Sequence, residues 1–223
     1  MIDPKLTISL FKLRTKKALV KQTYTANVYG KDGDENMGHA LAELIKFSRE
    51  QKSEYYWSFS RYARNHAKAD LQEMTAVMLE YPYSCRSELL DALDASPFVH
   101  YLIHTQDEIN TKKAEERLLV AFPLVSPVID PKDYTRIASL LSEQLGVGSH
   151  STGDFSSTFL FCPFLQVCSL PKIVLNDAEK EFLDPVAFKD EHAGVWTNAR
   201  ALQEGQPSQP KPMKLDATGL FQF

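Results

Sequence analysis

Two stretches of the chain carry residue types that bind phosphate and stack bases. Residues 12–21, KLRTKKALVK, hold Lys12, Arg14, Lys16, Lys17 and Lys21, with Lys5 nearby and Asp3 as the acid before them. Further on, Arg61, Arg64, His66 and Lys68 lie beside Tyr55, Tyr56, Trp57, Phe59 and Tyr62. Basic groups neutralise phosphates, and aromatic faces stack bases without regard to sequence. Both stretches therefore read as candidates for holding single-stranded nucleic acid. The same residues equally suit a solvated hairpin and a core aromatic cluster. Three other polar residues stand out by position. Glu80 ends the apolar run MTAVMLEY (74–81), and His104 nearly ends PFVHYLIHT (97–105). Asp154 lies in the polar stretch SHSTGDFSS, where aspartate also serves turn geometry.

Other chemistries are disfavoured by residue type. Cys85, Cys162 and Cys168 form no CxxC pair, and the six histidines are scattered, so a zinc site is not expected. An odd, small cysteine count argues against a disulfide framework and for a reducing compartment. The start MIDPKLTISLFKLR has no signal-peptide pattern, and no apolar run approaches the ~20 residues of a membrane span. A cytoplasmic location is expected.

Elements that would position these residues follow from periodicity. LTISLFKLR (5–13) and KALVKQTYTANV (17–28) read as strands, and YGKDGDEN (29–36) as a loop. MGHALAELIKFSREQ (37–51) has helical apolar spacing. The runs 74–81, 97–105 and RLLVAFPLVSPV (117–128) read as strands. Ser84 is expected to cap a helix reaching Ala95, and Asp130-Pro131 opens a helix that stops at Gly146. TFLFCPFLQVCSL (158–170) is a last core strand or pair. Composition agrees with a folded domain: 223 residues suffice for a sizeable core, and 43% hydrophobic with 24% charged residues excludes wholesale disorder. The formal net charge of −4 argues against a globally basic coat protein, but leaves room for one basic face. EGQPSQPKPMK (204–214) reads as a flexible linker and LDATGLFQF (215–223) as an apolar tail. The expected layout is a core over 1–200 followed by linker and tail over 201–223.

The order of segments over 97–163 carries a likeness. YLIHT (101–105), RLLVAFPLVSPV (117–128), DYTRIASLLSEQLG (133–146) and GDFSSTFLFCP (153–163) follow one another. KSEYYWSFSRYA (52–63) lies upstream. Together they resemble the catalytic core of the archaeo-eukaryotic primase (primase–polymerase) superfamily, in the versions of plasmids, phages and integrated elements. The resemblance spans roughly 40–165. It implies an α+β fold in which an N-terminal α/β part packs on an RRM-like, β-rich part with a mixed sheet. It further implies Mg²⁺ or Mn²⁺ held by carboxylates, because phosphoryl transfer relies on positioning and charge neutralisation. By position, Glu80 and Asp154 would be the catalytic, metal-binding acids, while His104 and Arg117 would contact nucleoside triphosphate. Three positions depart from the pattern. Pro82 stands where a second acid is expected, and Leu119 and Thr158 stand where arginines are expected.

Two kinds of function follow. One is a metal-dependent nucleotidyltransferase that makes or extends primers on single-stranded DNA or RNA for a mobile element. The other, which Pro82 favours, is a catalytically inactive primase-fold module. It would bind nucleic acid through Lys12, Arg14, Lys16, Lys17, Arg61 and Arg64, or act through a replication protein docked on the C-terminal tail. A membrane partner is not expected.

Overall fold

Alternating and continuous apolar runs in this sequence become two antiparallel sheets and a covering layer of helices. The computed structural model describes residues 3–14, 17–30, 36–43, 55–64, 70–107, 115–148, 162–163, 173–176 and 179–194. β1 (Lys5–Arg14) and β2 (Lys17–Asn27) form a hairpin whose register runs from Lys5↔Asn27 to Arg14↔Lys17, with a slip between Leu10 and Phe11. β1 also pairs with β3 (Tyr55–Ser58), which pairs with the short β8 (Cys162–Pro163). The first sheet has the order β2-β1-β3-β8. The second is built from β4 (Ser60–Tyr62), β5 (Leu71–Pro82), β6 (His100–Asp107), β7 (Glu115–Val128) and β9 (Ile173–Asn176), in the order β4-β5-β7-β6-β9.

The fold class is thus α+β, with a difference from the sequence expectation. Every ladder between named strands is antiparallel, and among the described residues parallel contacts are confined to three isolated bridges. A mixed sheet was expected because helices and strands alternate along the chain. β5 and β6 run in the same direction and are joined through the helix Arg86–Ala95, but β7 lies between them and is antiparallel to both, so no parallel ladder forms in this sheet.

Burial explains why β5 and β7 read as unbroken apolar runs. Each is covered on both sides. Ala76 and Met78 of β5, Leu119 and Ala121 of β7, and Tyr101 and Ile103 of β6 pack with Leu6, Ile8 and Leu10 of β1. Each fully buried aliphatic here contributes about 1.5–3 kcal/mol. The alternate residues, Val77, Leu79 and Tyr81 of β5 and Leu118, Val120 and Phe122 of β7, are buried on the opposite face. Two helices accompany that face, α2 (Arg86–Ala95) with Leu89 and Leu93 buried, and α3 (Pro131–Leu145) with Tyr134, Ile137, Ala138 and Leu141 buried. Tyr134 also accepts the Met78 N–H at 3.0 Å. This satisfies a donor that β5 directs away from β7. Residues 37–43 form α1, whose Met37 and Leu41 join the core between the sheets.

The two sheets share one chain at a corner. β3 belongs to the first sheet and β4 to the second, with Phe59 between them. Where β3 leaves β1, the side chain of Thr75 takes its place. Its Oγ1 accepts the Thr7 N–H at 3.0 Å and lies 3.2 Å from the Thr7 carbonyl and 3.1 Å from that of Phe59. The β5–β7 register shifts between Met74 and Ala76, which turns this residue out of the ladder.

Helix ends follow local rules with one exception. Asp130 caps α3 by accepting the Lys132 N–H at 2.8 Å, and Gly146 ends it with φ of 66°, a left-handed position that favours glycine. Ser84, expected to cap α2, does not. The extended Pro82 leads into a 3₁₀ turn, Tyr83–Cys85, and the cap position falls on Cys85 with no side-chain bond. The far end of α2 is held by Lys180, whose Nζ donates to the Leu93 and Asp94 carbonyls, the arrangement that a helix C-terminus favours.

The chain divides into two units, Met1–Phe188 and Lys189–Phe223. The last helix, α4 (Pro185–Glu191), buries Pro185 and Phe188. The linker and tail expected at 201–223, and most of the strand expected at 158–170, lie outside the described residues. Among the described residues, no helix is long and apolar enough to cross a membrane.

Candidate functional site

The residues singled out in the sequence fall at opposite ends of β5, about 30 Å apart from Glu73 to Pro82 at ~3.3 Å per residue.

At the Pro82 end, the register aligns Glu80 with Leu119, and Leu119 with Ile103. These three positions share the face turned toward the first sheet. Glu80 is 4% exposed, and its carboxylate accepts a hydrogen bond from the Arg117 guanidinium, whose side chain is 37% exposed. Arg117 pairs in register with Pro82, two residues on from Glu80, so the strand geometry itself brings the ions together. A buried carboxylate costs several kcal/mol unless a cation faces it. Arg117 supplies that cation.

His104 is one residue beyond Ile103 and therefore projects from the opposite face, the one accompanied by the helices. Its ring stacks on Tyr83 with centroids 4.7 Å apart and planes inclined by 21°. Glu80 and Arg117 are thus brought together, whereas His104 is turned away from both. Asp154 and Thr158 lie outside the described residues.

The cation that the resemblance implies finds no fitting donor set in what is described. The Glu80 carboxylate is bonded to Arg117, Pro82 has no ligand atom, and no three His, Cys, Asp or Glu side chains among the described residues group to hold a metal ion. Arg117 neutralises the Glu80 carboxylate at this strand end, and Asp154, the other acid that the resemblance implies, lies outside the described residues.

At the Leu71 end, backbone bonding assembles the basic segments. Val20 of β2 donates its N–H to the Arg64 carbonyl at 2.9 Å, which ties the segment after β4 to the hairpin. Arg14 and Lys17 pair in register, with Lys12 two positions back from Arg14. The side chains of Lys12, Arg14 and Lys17, and all of Lys16, lie outside the described residues. Arg61 Nε contacts Glu73 at 3.0 Å with its side chain 45% exposed. Arg64 contacts Asp70 at 3.5 Å with its side chain 83% exposed. With the arginine side chains this exposed, the pairs are weak and leave the guanidinium in reach of an outside anion.

The aromatic residues between them do something else. Trp57, Phe59 and Tyr62 are buried, with Trp57 set edge-on to Phe59 and Phe11 edge-on to Tyr62. Burial raises the Tyr62 hydroxyl pKa, with Tyr134 adding to the rise. These rings are core, so they offer no face to a base. The side chains of Tyr55 and Tyr56 lie outside the described residues.

Tyr83 went unnoticed in the sequence. Its signal was present, since an aromatic residue directly after a strand-ending proline has left the ladder and is free of the strand's alternation. The sequence matches no family model, no curated protein and no solved structure.

Proposed function

We propose that this chain is a primase-like, nucleic-acid-binding module serving the replication of a mobile element, rather than a nucleotidyltransferase that works alone. The observation that carries the reading is the Val20–Arg64 backbone bond. It sets two basic segments, separate in the sequence, beside each other, with Arg64 reaching β2 three residues along from Lys17. A single strand of DNA or RNA would track this edge through its phosphates. With a net charge of −4 over the whole chain, attraction is local and steep in salt. The Glu80–Arg117 pair supports the non-catalytic half of the reading, because a carboxylate held by arginine is a poor cation ligand.

Fluorescence anisotropy with a labelled single-stranded oligonucleotide tests it. Binding at low salt is expected to weaken linearly on a logarithmic salt scale. Arg64→Ala and Lys17→Ala should each reduce the slope by about one. No binding at low salt would remove the proposal. The same preparation should add no nucleotide to a primed or unprimed template with Mn²⁺. Addition that Asp154→Ala abolishes would replace the module with an enzyme.

A further inference from the structure

Among the described phenylalanine, tyrosine and tryptophan side chains, Tyr83 alone is exposed, at 37%. The turn that carries it, Tyr83–Cys85, buries none of its residues. Yet the ring is not loose. It lies nearly flat against the imidazole of His104, which β6 holds in register with Leu118 of β7. β6 holds the imidazole, and the turn after β5 sets the tyrosine ring against it. An aromatic plane fixed before a ligand arrives spares the ligand the cost of ordering it.

Charge lies at the same strand end. Arg86, exposed, is the first residue of α2, three positions on from Tyr83 through a single turn. A flat, exposed ring with a guanidinium-bearing residue one turn away is the combination that holds a base by stacking and its phosphate by charge.

We propose that Tyr83, backed by His104, is a stacking platform for a nucleobase at the Pro82 end of β5, with Arg86 as the cation for the attached phosphate. The site is separate from the hairpin edge, and its ligand class rests on the nucleic-acid reading above. In this geometry the base extends an existing His–Tyr stack by one ring. Preference among bases is weak, because every base has a face to offer.

Binding of a short deoxyadenosine oligonucleotide to the full chain is compared for the wild type, Tyr83→Phe and Tyr83→Leu. The leucine keeps apolar bulk and removes the aromatic face. Since Tyr83 is exposed, circular dichroism should be the same for all three. The phenylalanine variant should bind like wild type and the leucine variant about tenfold more weakly, the weight of one base–aromatic stack. The His104 ring protons should shift upfield on binding in the wild type and stay in place in Tyr83→Leu. Equal affinity of the leucine variant would overturn the platform and leave the hairpin reading intact. Absence of any oligonucleotide binding would remove the hairpin reading. Deoxyadenosine monophosphate then decides: a His104 shift that Tyr83→Leu abolishes supports the platform, and no shift overturns it. Loss in Tyr83→Leu of binding to a partner protein, with no nucleotide effect, would reassign the ring to a protein contact.

Discussion

The two ends of β5 use arginine in opposite ways. At the Pro82 end, Arg117 is half-buried against a carboxylate that water scarcely reaches, and the pair belongs to the architecture. At the Leu71 end, Arg61 and Arg64 keep exposed side chains while meeting the more sheltered Glu73 and Asp70, and their pairs constrain little. The residue type is the same, so dielectric surroundings separate the roles. A guanidinium committed to a buried anion stabilises a fold, whereas one in water stays available to a ligand.

The comparison makes graded predictions. Arg117→Met should cost about 3 kcal/mol of stability in urea unfolding, because it strands the Glu80 carboxylate. Pairing it with Glu80→Gln should restore part of the loss, and a cost below about 0.5 kcal/mol would erase the contrast between the ends. Thr75→Val, at the corner between them, removes the acceptor of the buried Thr7 N–H and should cost about 2 kcal/mol, read in the same way. A third effect depends on pH. His100, 4% exposed, has its imidazole pKa lowered from 6.5. Burial is the main cause, followed by the Phe98 carbonyl, which raises it, then Lys180, which lowers it, and Asp94, which raises it. The unfolded chain therefore binds this proton more readily than the folded one. Stability from the neutral ring is present above pH 6.5 and falls as pH drops below it, by no more than about 1.4 kcal/mol per pH unit. His100→Gln should flatten that portion of the curve, measured as unfolding midpoint against pH. Smallest is Arg64→Ala, expected to change stability by less than about 0.5 kcal/mol even though it weakens oligonucleotide binding. A larger loss would place Arg64 with Arg117.

Local signals made some of this legible. Asp130-Pro131 and Gly146 marked both ends of α3, since each acts on backbone within a few residues of itself. The apolar runs of β5, β6 and β7 announced strands, and their lack of alternation is explained by burial on both faces. What escaped was set by register. Glu80 and Arg117 are 37 residues apart, and their meeting depends on how β5 and β7 align. His104 and Glu80 looked like members of one constellation because both come near the ends of apolar strands. Only the pairing through Leu119 and Leu118 reveals that they leave the sheet on opposite sides. The corner at Phe59, and with it β4, was hidden in an aromatic run that fits core and surface equally well. Ser84 failed as a cap because Pro82 holds an extended conformation and the chain enters a 3₁₀ turn first.

The Thr75 clip has a consequence for exchange with solvent. The Thr7 amide is held by a hydroxyl from a strand 68 positions away, and not by the neighbouring strands of its own sheet. Its protection from hydrogen–deuterium exchange therefore reports whether the two sheets are together. The Leu6 and Ile8 side chains beside it report burial, which survives smaller motions. If the sheets part before the strands unravel, Thr7 will take up deuterium ahead of the amides in the β5–β7 ladder. One backbone proton then times the opening of the interior that every other core contact only averages.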